Sequence, residues 1–216
     1  MDPLKDFERS LSKKERAVFT GLHNPAKIQG FLDKISYCGN DHYYSPRTVL
    51  KVRKACCLDG ALFAATALRR LGFPPFIVCL IAENDDDHIL ALYKRDGLLG
   101  AIAKSNFAGL RFREPVYRSL RELIMSYFEF YFNLHGEKTL RGYTVPLDLK
   151  AFDHMHWMIR DDNLEVIAER LDAIRHFSLL RPGMVRSLGQ VDKRSYEAGM
   201  YKVDTAAIYK PRKKQP

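Results

Sequence analysis

The sequence predicts an α+β fold in which a helix headed by a cysteine packs on a small antiparallel sheet, with extra helices flanking both. Three observations carry that expectation. From residue 57 to 71, Leu58, Ala61, Leu62, Ala65, Leu68 and Leu71 recur at helical spacing, and Gly72 and Pro74 stop the run. Three apolar stretches of strand length follow, over 76–82, 88–93 and 98–103, separated by the turn-forming segments 84–87 and 94–97. The chain has 216 residues and is 46% hydrophobic, enough to bury one core. We therefore expect one domain over 1–182, with its core at about 45–135, and a C-terminal arm or basic tail over 183–216.

The position of Cys57 at the head of the helix has an electrostatic consequence. Unpaired backbone N–H groups and the positive end of the helix dipole favour an anion there, which lowers a thiol pKa and makes a nucleophile near neutral pH. Small residues (Gly60, Ala61, Ala64, Ala65) let that helix approach the sheet closely. His88 opens the middle strand of the meander, and Lys104, Ser105 and Asn106 follow the third, so that the strand ends can converge on Cys57.

The order Cys57, Ala61, Gly72 and Pro74, then His88 at a strand start, then a polar group after the next strand, resembles the transglutaminase-like superfamily. That superfamily is a branch of the papain-like cysteine acyl-transfer fold, here in its bacterial-type, stand-alone form. The resemblance spans the helix, the three strands and the loop behind them, and it selects Cys57 rather than Cys56. It implies that Cys57 is the nucleophile, His88 its base, and a third group the acceptor that orients the imidazole. Strand length puts Lys104 where such proteins carry aspartate, and a lysine cannot accept that bond. Asn106 is the expected substitute, with Ser105 second. Tyr43 and Tyr44, in the loop before the cysteine, are candidates for a cleft wall.

The implied chemistry is acyl transfer or amide hydrolysis on a protein or peptide, without a cofactor. Water as second acceptor makes a protease, isopeptidase or deamidase, and an amine makes a transferase; hydrolysis is preferred because water is always present. The lysine near the aspartate position also supports a different reading, a catalytically inactive module that binds through its basic surface.

Other features narrow the field. Cys38, Cys56, Cys57 and Cys79 have no C-x-x-C spacing and are expected to be reduced thiols of a cytoplasmic protein. The first residues are charged, and no apolar run approaches the length of a membrane span. A net charge of +9 is spread along the chain, with one dense group at 210–214, so nucleic-acid binding is not expected. Asp85, Asp86 and Asp87 lack the spaced ligands of a calcium loop, and His154 with His156 supplies half a zinc site, so no metal is expected.

In chain order, Ser12 with Glu15 is a capping box, and Asn24-Pro25 opens a second flanking helix. The aromatic stripe Leu120, Leu123, Ile124, Tyr127, Phe128 and Tyr131 predicts the longest helix, over 116–133. Arg111, Arg113, Arg118 and Arg121 read as a solvated face paired with Glu114 and Glu122. A strand is expected at His154–Trp157 and a helix over 161–178. From Gly183 on, the polar composition without strong periodicity predicts a wrapping arm or a partly mobile tail.

Overall fold

A computed structural model describes residues 2–39 and 42–208. The basic group at 210–214 lies outside the described residues. The N-terminal helices form where their caps predict: α1 (Pro3–Ser10) under Asp2, α2 (Lys13–Thr20) inside the Ser12–Glu15 capping box, and α3 (Pro25–Lys34) under Asn24. A two-residue strand β1 (Ser36–Tyr37) and α4 (Pro46–Val52) come next, then β2 (Lys54–Ala55), which pairs parallel with β1.

The central helix α5 (Cys57–Arg70) ends in a Schellman cap: Gly72 adopts φ 89°, its N–H donates to Arg69, and Phe73 N–H reaches back to Leu68. The meander β3 (Phe76–Ala82), β4 (His88–Arg95) and β5 (Leu98–Ile102) is antiparallel, as expected. It is the middle of a larger sheet. Further on come β6 (Arg113–Tyr117), α6 (Leu120–Met125), β7 (Leu140–Thr144), β8 (Leu147–Asp148), α7 (Glu165–Ala173), β9 (His176–Ser178), α8 (Pro182–Arg186) and α9 (Lys193–Gly199). The seven-stranded sheet runs β6-β5-β4-β3-β7-β9, with β8 also paired to β3.

The molecule is α+β, with both faces of the antiparallel sheet covered. Ile77 and Cys79 of β3 and Ile89, Ala91 and Tyr93 of β4 pack under α5. Their alternates, Val78, Leu80, Leu90 and Leu92, pack against Leu123, Ile124, Tyr127 and Tyr131. Burial on both sides explains why these strands read as continuous apolar runs rather than alternating ones. No helix among the described residues is long and apolar enough to cross a membrane.

Three expected elements are different. The helix over 116–133 is replaced by β6, the short α6 and a 3-10 turn at Phe128–Phe130. Ser119 starts a new helix by accepting from Glu122 N–H, and Tyr127 and Tyr131 donate instead to the carbonyls of Arg111 and Asp86. Arg113 is no solvated side chain. Its guanidinium bonds Ser126 and the Gly109 carbonyl and lies 3.9 Å from the Tyr127 ring centroid. Arg111 pairs with Asp33 at 3.1 Å rather than with Glu114.

The strand expected at His154–Trp157 is the end of a 3-10 helix, Leu149–Met155, closed by His156 at φ 53°. Asp153 accounts for this, because it accepts from both Arg69 nitrogens at 2.7 and 2.8 Å and from the Trp157 indole one turn on, leaving both histidines exposed. The helix over 161–178 divides into α7 and the edge strand β9, the latter recruited by β7. The segment from Pro182 on folds locally into α8 and α9 and lies on the body, with Tyr196 donating to the Leu134 carbonyl and its ring lying tilted 5.5 Å from that of Phe132.

Candidate active site

The first turn of α5 is held by Asp59. Its two carboxylate oxygens accept from Cys56 N–H at 2.9 Å and Tyr44 N–H at 2.8 Å, so one buried side chain fixes both the cysteine pair and the loop before it. Burial raises the Asp59 pKa to about 6 against the lowering effect of those two N–H bonds. Sequence reasoning missed Asp59. Its position three residues after the N-cap Cys56 is the available signal.

Gly60, one turn into α5, lets the helix meet the strand end: a Cβ there would lie 2.2 Å from the Cβ of Lys104. Lys104 is buried and turns away from the site, donating to the Leu32 and Ile35 carbonyls at 2.9 and 2.6 Å. It thus satisfies carbonyls at the C-terminal end of α3, and desolvation lowers its pKa.

Cys57 is half-buried, with its sulfur 3.9 Å from the Asp87 carbonyl oxygen. A hydrogen bond from the Cys56 thiol is the largest influence on it, followed among the favourable ones by the His88 imidazole; together they hold its pKa well below that of an ordinary thiol despite burial. The Ile89 N–H acts in the same direction. Cys56 moves the opposite way, because it donates to its neighbour and is itself desolvated. The opposite shifts make Cys57, rather than Cys56, the thiol of the pair that ionises more readily.

His88 is buried, and its Nε2 lies 2.8 Å from the Leu110 carbonyl oxygen. A carbonyl only accepts, so Nε2 carries the proton and Nδ1 is the basic nitrogen of the neutral ring. The orienting bond expected of a side chain thus comes from the backbone. Asn106 is elsewhere engaged: its Oδ1 accepts from Asp204 N–H at 2.9 Å and its Nδ2 donates to the Asp204 carbonyl at 2.8 Å. Ser105 Oγ accepts from Phe107 N–H in the same turn.

Asp85 accepts from the Thr139 hydroxyl and Asp87 from Ala82 N–H, so these carboxylates serve the β3–β4 turn. Asp86 lines the cavity beside His88, and its pKa is raised to about 6, by desolvation first and then by Cys57 and the flanking aspartates.

Two tyrosines adjoin the cysteines. The Tyr43 pKa is raised by burial and then by Cys56 and Cys57, whereas Tyr44 meets the site through its backbone. Tyr37, missed in the sequence, lines the cavity with His88; burial and then Cys57 raise its pKa, so at neutral pH it retains its O–H. The β1–β2 pairing that brings it there joins Tyr37 to Ala55, two residues before Cys57. Among the described residues no cluster of three or more His, Cys, Asp or Glu side chains is placed to hold a metal ion.

No family model matches the chain, and no curated protein matches it. Among solved structures, the chain is similar to Legionella pneumophila LapG at 13% identity and TM-score 0.34, over 47% of this chain and 70% of that one. It is also similar to EGTA-treated Legionella pneumophila LapG at 12% identity and TM-score 0.39, over 78% and 95%.

Proposed function

We propose that the chain is a transglutaminase-like cysteine acyltransferase acting on amide groups of peptides or proteins. The observation that carries this is the Cys57 sulfur at the head of α5, its pKa lowered by the Cys56 thiol and the His88 imidazole, whose tautomer is fixed by the Leu110 carbonyl. Sulfur attacks the amide carbon, and the carbonyl oxygen becomes an oxyanion near the first N–H groups of α5. The His88 imidazolium returns its proton to the departing amine as the C–N bond breaks, leaving a thioester. A water molecule then loses a proton to Nδ1 and attacks the thioester carbon; the C–S bond breaks, an acid is released and the thiolate returns. Hydrolysis is the preferred second half, and an amine in place of water yields a new amide.

A neutral carbonyl stabilises the imidazolium less than a carboxylate does, which favours a slow enzyme over a fast one. The same feature gives the second reading, a binding module of the same fold without turnover. Site-resolved alkylation separates them: Cys57 alone reacts rapidly near neutral pH in an enzyme, whereas in an inert module it reacts no faster than the other thiols.

A further inference from the structure

We infer that Asn106 is a backbone-reading group of a peptide subsite on the His88 side of the site, and that residues 204–208 of the chain's own C-terminal arm, extended at Asp204 and turning through Thr205–Ala207, occupy that subsite. Its consequence for reactivity rests on the acyl-transfer reading of Cys57. The Asn106 carboxamide takes both the N–H and the carbonyl of one residue, Asp204, at 2.9 and 2.8 Å. Such pairing repeats one rung of a β-ladder at Asp204, whose own backbone is extended, and ignores the side chain; beyond it Thr205–Ala207 turn as one 3-10 helix. Asp204 fits this division of labour, since its carboxylate is turned to Ala206 N–H within the arm.

The molecule uses the same pairing once in its interior, where Gln29 takes the N–H and carbonyl of Ala103. That pair is buried and joins two elements of the core. The Asn106 pair is exposed, and its partner lies 98 residues away on the arm.

The residues just beyond Asp204 point to a ligand. Ala207 and Ile208 line the same cavity as Asp86, His88 and Tyr131, and with the arm in place that cavity measures about 40 Å³. This is space for a water or so and none for a peptide residue. A peptide that enters this cavity must therefore displace the arm, and Ala207 with Ile208 indicates that the subsite on the His88 side takes apolar residues. α9 keeps the arm close, through Tyr196 on Phe132 and through Gly199, where a Cβ would fall 2.5 Å from the Phe132 ring. A tethered occupant competes at high effective concentration, so weakening one clamp bond exposes the subsite.

The test uses the full chain. Asp204→Pro suits the backbone, which has φ −74°, and removes the N–H that Asn106 accepts; Asp204→Asn keeps that N–H and serves as the control. A fluorescein-labelled acetyl-Val-Asp-Thr-Ala-Ala-Ile peptide is titrated by anisotropy. Asp204→Pro binds it about fivefold or more tighter than wild type, the factor for one net hydrogen bond, Asp204→Asn matches wild type, and Asp204→Pro with Asn106→Ala loses the gain. In parallel, acetyl-Ala-Ala chloromethyl ketone labels Cys57 faster in Asp204→Pro, while iodoacetamide labels both proteins equally. Equal peptide binding by wild type and Asp204→Pro, or an undiminished gain in the double variant, overturns the subsite. If Cys57 is inert to iodoacetamide in every variant, the acyl-transfer reading falls and the anisotropy series still decides the subsite.

Discussion

Replacing Gly60 with alanine sets two effects of opposite sign against each other. In a helix interior alanine is favoured over glycine by about 1 kcal/mol. At this position, however, the new methyl would sit 2.2 Å from the Lys104 Cβ and 3.3 Å from its Cα. Ordinary carbon contact begins near 3.5 Å, so helix and strand end must part by about 1.3 Å. Lys104 cannot yield by rotating, because the clash is at the root of the side chain and its far end is fixed on the Leu32 and Ile35 carbonyls. Overpacking of this kind costs about 1–3 kcal/mol or more, and with the two atoms closer than any normal contact the upper part of that range applies. The variant is therefore less stable than wild type by about 1–2 kcal/mol net, read by urea denaturation at constant m. Because Gly60 is one turn after Cys57, the displaced helix start also slows Cys57 alkylation. A Gly60→Ala protein as stable as wild type, or more so, refutes the close approach on which the placement of Cys57 depends.

Neighbouring groups give further expected outcomes. The folded pKa of Asp59, about 6, is raised above its ordinary 3.8, so the folded state holds its proton more tightly and stability falls as pH rises from about 4 to 6. That component is about 3 kcal/mol at most. Asp59→Asn lacks it, so in urea titrations the variant gains on wild type between pH 4 and 7; a pH-independent difference contradicts the assignment. Lys104→Met leaves two helix-end carbonyls without their donor and costs about 1–3 kcal/mol, yet the pH midpoint of Cys57 alkylation stays in place because the ammonium faces α3. A displaced midpoint would put Lys104 back in the electrostatics of the site.

The features legible in the sequence were those that short-range physics determines. The caps at Ser12 and Asn24, the Gly72 stop and the three apolar runs each depend on residues a few positions apart, and the structure has them where the pattern indicates. Cys57 at the helix head and His88 at the strand start come from the same local reading. The stripe from Leu120 to Tyr131 satisfied helical spacing, but its tyrosine hydroxyls and the Arg113 guanidinium find partners on other segments, and those bonds break the helix. The acceptor for His88 was invisible for a different reason: it is a backbone carbonyl, which every residue has. Asn106 carried the right chemistry for that role, and only the arm, far along the chain, shows what its carboxamide holds. Tyr37 reaches the site through a two-residue parallel pairing that no periodicity marks.

The chemistry proposed for the site depends on Cys57 being a nucleophile activated by His88. The most direct measurement is site-resolved iodoacetamide alkylation of the native protein from pH 5 to 9, read by peptide mass spectrometry, in wild type and His88→Ala. Cys57 is expected to react ahead of Cys38, Cys56 and Cys79, with a midpoint well below the free-thiol value of about 8.5, and the midpoint to rise in His88→Ala. A Cys57 that titrates like a free thiol, or that is unaffected by loss of the imidazole, contradicts it.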